Sequence, residues 1–329
     1  MFVLFRSQHP LTIVLLFFYG LALRASAFLV PLPPVRSSGD GYLYDLLADG
    51  IQGSFAASPS FYPFIAYVLV FLQALILNGR MDRDKLLPRT GFLPAMSYLL
   101  VTALLPDWWR LSALMLSATL LIWVWGDMNR VFNARRPGDI VFNAGVLTGV
   151  SALIYFPSIL FAIFIFLAPA IMGTPRFRDW VSALAGLLMP FYFFLSWVYL
   201  TGRWGQISLA PGMVLHWPLF EILPLTWISL AMLLIPFLWG VLALNRQMPR
   251  MLIRNRKIWS LMYACLLLGL LIFCWGNTGG FGSLYLVVVP LAAFHSLAYE
   301  HAGRPWMARL LHLITIFAIA GWNYLVLNK

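Results

Sequence analysis

Apolar residues occur along this chain in long blocks, not in the alternation of a half-buried strand or the one-sided stripe of a soluble helix. A window of ~20 residues, the length that crosses a bilayer as a helix, picks out eleven blocks. They lie near 11–31, 59–77, 92–105, 111–126, 140–155, 157–172, 180–200, 225–244, 258–274, 283–298 and 307–327. Proline, glycine and charged residues collect between them or at their ends. The pattern predicts an all-α fold, a polytopic transmembrane helix bundle of about eleven spans (nine to twelve), forming a single integral membrane domain over 1–329. Blocks 92–105 and 140–155 would reach only ~21–24 Å at 1.5 Å per residue, less than the ~30 Å hydrocarbon core. They are expected to be broken or re-entrant helices shielded by neighbours. The first block carries a signal-peptide-like Ala25-Ser26-Ala27, but its apolar character continues through Val30 and ten more blocks follow, so an uncleaved first helix is expected.

Composition supports the blocks. Hydrophobic residues make up 62% of the chain and charged residues 10%, against roughly 25% charged in soluble domains. The placement of charge then sets a direction. With the N-terminus in the cytoplasm, 17 of the 22 Lys and Arg residues fall in cytoplasmic links, and Arg24, Arg36, Arg110, Arg203 and Lys329 are the remainder. The positive-inside rule asks for this asymmetry. An odd span count places the C-terminus in the periplasm of a bacterial inner membrane. The net charge of +11 follows from basic clusters facing anionic lipid, so membrane lipids are the expected partners and nucleic acid is not. The densest cluster, Asn245 to Lys257, reads as a topogenic stop, with a lipid headgroup or partner site as the alternative.

The links assigned to the trans side hold the candidate chemistry. The first, Pro33 to Ser58, carries Asp40, Asp45 and Asp49 with a single Arg36. Tyr42 to Asp49 suits a short amphipathic helix lying on the membrane, with Gly50 as its stop and Asp45 and Asp49 on one face. A solvated acidic loop with an N-cap is the plainer account. The link Thr201 to Pro224 holds Arg203, Trp204, Gln206, His216, Trp217 and Glu221, and should dip into the interface. Pro106-Asp107-Trp108-Trp109-Arg110 reads as an aromatic belt anchor. The glycines of 276–282 would let backbone approach a ligand, or would simply close a hairpin. Within the spans, Arg24 and His295 are the clear ionisable candidates. Arg24 is expected to snorkel toward the trans surface and meet Asp40 or Asp45. No metal site and no cofactor are expected. Nucleotide-binding, serine-hydrolase and zinc-protease motifs are missing, as is any chain of buried carboxylates for ion-coupled pumping.

Two stretches carry a resemblance. Trp125-Gly-Asp-Met-Asn-Arg130 with Pro137 through Phe161, and Phe177-Arg-Asp-Trp180 with Gly186 through Phe191, resemble an uncharacterised family of polytopic inner-membrane proteins from Bacteroidota. That resemblance covers roughly residues 60 to 200. A looser one is positional. Gly-Asp40-Gly-Tyr-Leu-Tyr-Asp45 stands just after the first span, where type-C membrane glycosyltransferases place an acidic residue. Gly145-x-x-x-Gly149 leading to Tyr155-Phe-Pro157 is similar to a stretch in many of them. That resemblance implies Asp40 or Asp45 as base on an acceptor and a polyprenyl-phosphate carrier as sugar donor. It leaves Arg24, Arg110 or Arg203 to hold the phosphate. Here the loop and the chain are both short for that class.

Three functions remain open at this stage. The leading expectation is a scaffold or assembly partner in envelope biogenesis, binding other envelope proteins. The alternatives are a lipid-linked-sugar glycosyltransferase and a lipid or solute transporter or flippase. An enzyme requires a cavity that gathers Asp40 or Asp45 with an arginine. A scaffold requires a filled bundle, and a transporter a central cavity open to one leaflet.

Overall fold

A computed structural model describes residues 5, 9–55, 60–173, 176–204, 223–275, 280–302 and 305–328. Among these residues the chain is predominantly helical, with no strand beyond an isolated bridge between Asp40 and Tyr155. In order the helices are α1 (Leu11–Ala22), α2 (Ala25–Leu29), α3 (Tyr42–Phe55), α4 (Phe61–Arg83), α5 (Leu93–Ala103), α6 (Ala113–Met128) and α7 (Pro137–Ile154). There follow α8 (Phe161–Met172), α9 (Phe177–Leu200), α10 (Pro224–Gln247), α11 (Ile253–Trp275), α12 (Val288–Glu300) and α13 (Pro305–Leu327). Short 3-10 turns at Phe156–Leu160 and Phe281–Val287 lead into α8 and α12. Among the described residues, seven stretches are at least 18 residues long and apolar enough to cross a membrane, and four apolar helices are shorter. The protein is a multi-pass helical membrane bundle.

The bundle has a dry centre and a lipid-facing rim. All eleven residues of α5 are buried, which explains how so short a helix is tolerated: its neighbours shield its ends from lipid. Of the stretch containing α12, 83% is buried, against 22% for α9. The α9 side chains Leu188, Tyr192 and Phe193 are exposed, as a lipid-contacting helix requires.

With no water to drive apolar helices together, close backbone approach sets the packing. A Cβ at Gly145 of α7 would lie 2.6 Å from the Ala183 carbonyl oxygen of α9, and one at Gly149 2.6 Å from that of Leu187. From the other side, a Cβ at Gly186 would lie 2.2 Å from the Phe142 oxygen. The Gly145-x-x-x-Gly149 pattern is therefore a helix-packing device. Gly240 repeats it between α10 and α12, where a Cβ would lie 2.1 Å from the Phe294 carbonyl oxygen.

Three expectations are corrected. Block 140–155 is not a broken helix: it belongs to α7, 18 unbroken residues that are long and apolar enough to cross a membrane. The first block is a broken helix: at Arg24 the backbone leaves helical geometry (φ −121°, ψ 27°) and restarts as α2. Gly50 does not stop the amphipathic helix, which continues to Phe55. Glycine inside a helix costs only about 0.5–1 kcal/mol of backbone entropy, which the packing of α3 outweighs.

The links fall into two sets. In one, Arg254 pairs with Asp84 at 2.5 Å, Asn129 donates to Asp84 at 3.0 Å, and Arg89 lies 3.8 Å from Glu300. Lys257 donates to the Met172 carbonyl at 3.0 Å. The other set surrounds Asp40.

Replacing Gly186 by Ala should lower the unfolding midpoint of the detergent-solubilised protein by several degrees, corresponding to about 1–3 kcal/mol of overpacking. Gly50→Ala should be neutral or slightly stabilising. Equal midpoints for both variants would contradict the α7–α9 interlock.

Candidate functional site

The site begins with a strap, Val35 to Gly41, laid over the ends of α6 and α7. The Gly41 N–H donates to the Ile154 carbonyl at 2.8 Å, and the Phe156 N–H to the Gly39 carbonyl at 3.0 Å. A Cβ at Gly41 would lie 2.0 Å from the Leu153 carbonyl oxygen, so only glycine fits there. Farther back, the Val35 N–H donates to the Leu111 carbonyl at 2.8 Å. The buried Tyr44 hydroxyl donates to the Val35 and Leu111 carbonyls at 2.8 and 3.2 Å.

Held this way, Asp40 is 9% exposed. Its carboxylate accepts from the Ser37 N–H at 2.6 Å and the Ser37 hydroxyl at 2.7 Å. Burial pushes the Asp40 carboxyl up to about 6; the Ser37 bonds oppose that shift, nearby Asp45 adds to it and Arg36 reduces it. A carboxyl with this value is a serviceable base near neutral pH.

Two further segments complete the wall. Trp108 donates its indole N–H to the Phe281 carbonyl at 2.9 Å, and the Phe281 N–H donates to Asp107 at 3.2 Å. Burial also raises the Asp107 carboxyl, opposed by the Phe281 bond and Arg110. Arg110 donates to the Pro33 carbonyl at 3.1 Å. Together these segments enclose a cavity of about 400 Å³ lined by Asp40, Asp107, Arg36, Arg110, Ser37, Trp108, Gly280, Gly282 and Tyr285, among others. Two arginines and two aspartates thus line one space, a set able to bind an anionic group and to accept a proton beside it.

The sequence candidates separate on this geometry. Asp40 and Arg110 line the cavity. Asp45 is half-buried on α3 outside the lining, and Arg36 forms its ion pair with Asp49. Arg203 stands apart, donating to the Tyr42 hydroxyl at 3.3 Å and lying over the Trp197 ring. Arg24 does not reach Asp40 or Asp45. It is 2% exposed and donates to the carbonyls of Gly20 and Leu99 at 3.1 and 3.2 Å and to the Thr102 hydroxyl. An arginine that far from water spends its donors on backbone carbonyls. His295 is likewise buried, with Nε2 2.8 Å from the Leu233 carbonyl. Gln206, His216, Trp217 and Glu221 lie outside the described residues.

Sequence reasoning passed over Arg36, Asp107 and Tyr285 as site residues. Arg36 and Asp107 were visible as charges in candidate links; nothing along the chain signalled that Tyr285 would join them. Its hydroxyl donates to Gln73 at 2.8 Å, and Tyr98 donates to the same oxygen at 2.7 Å. The cavity wall is thereby tied to the buried core.

Comparison with family models, with curated proteins and with solved structures finds no match.

Infrared titration of the purified protein should show a carboxyl half-ionised near pH 6 that disappears in Asp40→Asn. Below that pH the group carries its proton; above it the group is a carboxylate. A titration near the ordinary aspartate value of about 4 would contradict the buried placement.

Proposed function

We propose that this chain is a bacterial inner-membrane transferase that moves a group, on the periplasmic side, from a phosphate-bearing lipid carrier to an acceptor. The reading rests on one observation: a single cavity collects Asp40 with Arg36 and Arg110. A filled scaffold has no need to place a buried carboxyl beside two arginines. The positional similarity to type-C glycosyltransferases points the same way and makes a polyprenyl-phosphate-linked sugar the donor class.

In this reading Asp40 takes the proton from the acceptor nucleophile as that atom bonds to the sugar carbon. The carbon–oxygen bond to the carrier phosphate breaks, and the phosphate leaves with the electron pair. Arg110, with Arg36 beside it in its ion pair with Asp49, offsets the charge that develops on it. Asp45, Arg24 and Arg203 have no part in the chemistry.

The direction belongs to the same proposal. The links that meet at Asp40 are those the charge pattern assigns to the periplasm, and those joined through Asp84 and Arg254 are the cytoplasmic set. Counting the four shorter apolar helices with the seven long ones supports eleven crossings, and the charge pattern supports an N-terminus inside. Other envelope proteins would supply the acceptor.

Asp40→Asn, which keeps shape and loses the base, should lower transfer by about 10²–10⁴ while leaving membrane abundance unchanged. Arg110→Gln should lower it as well, and Asp45→Asn should leave it nearly intact. Activity of the native protein should fall about tenfold per pH unit below about pH 6. Surface glycan and lipid-linked sugar consumption are the readouts. Full glycan in a stably expressed Asp40→Asn strain would refute the proposal.

A further inference from the structure

At the opposite end of α7 from Asp40, the links before α7 and α9 form a second cavity, of about 380 Å³, lined by Arg135, Arg136, Arg176, Arg178, Asp139 and Asp179 together with the first turn of α7. Four arginines against two carboxylates leave a formal charge of +2 there. Asp179 is already engaged, accepting the Arg176 N–H at 3.0 Å. Among the described residues none of the four guanidiniums forms an ion pair, although arginines at the same end of the bundle do: Arg80 and Arg130 with Asp127, and Arg254 with Asp84.

The backbone adds to this charge. No side chain caps the N-terminus of α7, an 18-residue helix that opens on Pro137 and carries Asp139 in its first turn; Gly138 and Asp139 line the cavity, so the backbone N–H groups there and the positive end of the dipole lie beside it. The Ser182 hydroxyl donates to the Gly138 carbonyl at 2.8 Å, and the glycine contacts between α7 and α9 fix the two helix starts side by side. The arrangement is preformed by packing and is not assembled by the arginines, which would repel one another.

We propose that this cavity is a phosphate-binding site, filled by the headgroup of an anionic phospholipid or by a free phosphate compound. Planar guanidiniums grip phosphate oxygens in bidentate fashion, and an open helix N-terminus offers a converging set of N–H donors. A plain topogenic charge cluster needs neither a shared cavity nor an uncapped helix. The site is distinct from the Asp40 cavity and does not depend on the transferase reading.

The test uses the full chain in detergent, with phosphatidylglycerol, phosphatidylcholine and inorganic phosphate as probes and native mass spectrometry as readout. Phosphatidylglycerol should bind in preference to phosphatidylcholine. An Arg135→Gln/Arg176→Gln variant should weaken it about tenfold or more, with Arg→Lys at both positions intermediate. Arg246→Gln/Arg250→Gln, equal in charge change but in another link, should bind as the native protein does. Displacement of the lipid by low-millimolar inorganic phosphate would assign the site to a free phosphate compound, whereas lipid retention assigns it to the headgroup. Unchanged binding in the Arg135/Arg176 variant, equal loss in the Arg246/Arg250 control, or equal binding of phosphatidylcholine would overturn the proposal. The Arg→Lys variant preserves the charge, so it keeps the test decisive if the Gln variant fails to fold.

Discussion

The structure depends on backbone meeting backbone at glycine. Inside an apolar bundle the hydrophobic effect does not distinguish a neighbouring helix from a lipid tail, so association falls to van der Waals contact at the shortest distance the chain allows. Gly145, Gly149 and Gly186 allow α7 and α9 to touch along their axes, and Gly41 allows the strap to seat on the end of α7. One helix thereby positions both polar cavities. Its C-terminal end presents the Ile154 carbonyl that holds the Asp40 strap, and its N-terminal end faces four arginines.

A second constraint acts in the interior, where every polar group must find a partner or raise the cost of folding. Arg24 meets it in part, at the break in the first helix, where its two terminal nitrogens donate to the Gly20 and Leu99 carbonyls while its Nε is left without a hydrogen-bond partner. Gln73 meets it as a junction: its oxygen accepts from Tyr98 and Tyr285, and its amide donates to the Met115 carbonyl and Thr119 at 2.7 Å. Because Tyr285 also lines the Asp40 cavity, the wall of that cavity is braced by a network that cannot relax into water. Preorganisation of this kind is what an electrostatic site needs, since charges that are already fixed cost no reorganisation during a reaction.

The two ends of the molecule treat charge differently. Where Asp84, Asn129 and Arg254 meet, cations and anions neutralise each other. Around Asp40, carboxylates are buried against hydroxyl, amide and guanidinium groups, and burial raises both Asp40 and Asp107. The first arrangement holds links together; the second brings the Asp40 carboxyl up to about 6.

The chain by itself determined where its helices lie. Each of the eleven apolar blocks coincides with helical structure, and the amphipathic Tyr42 helix was legible too, because burial in lipid requires contiguous apolar residues and period-3.6 patterning is local. Asp40 and Arg110 could be singled out because polar residues beside a membrane are few. What only the tertiary structure decided was which of those few meet. Arg24 and Arg203 carry the same charge as Arg36 and Arg110, but one is consumed inside the bundle and the other stands apart from the cavity. Tyr285, some 245 positions from Asp40, joins the site through packing alone. Such choices depend on backbone contacts between distant segments, and a distance across the fold leaves no periodic trace along the chain.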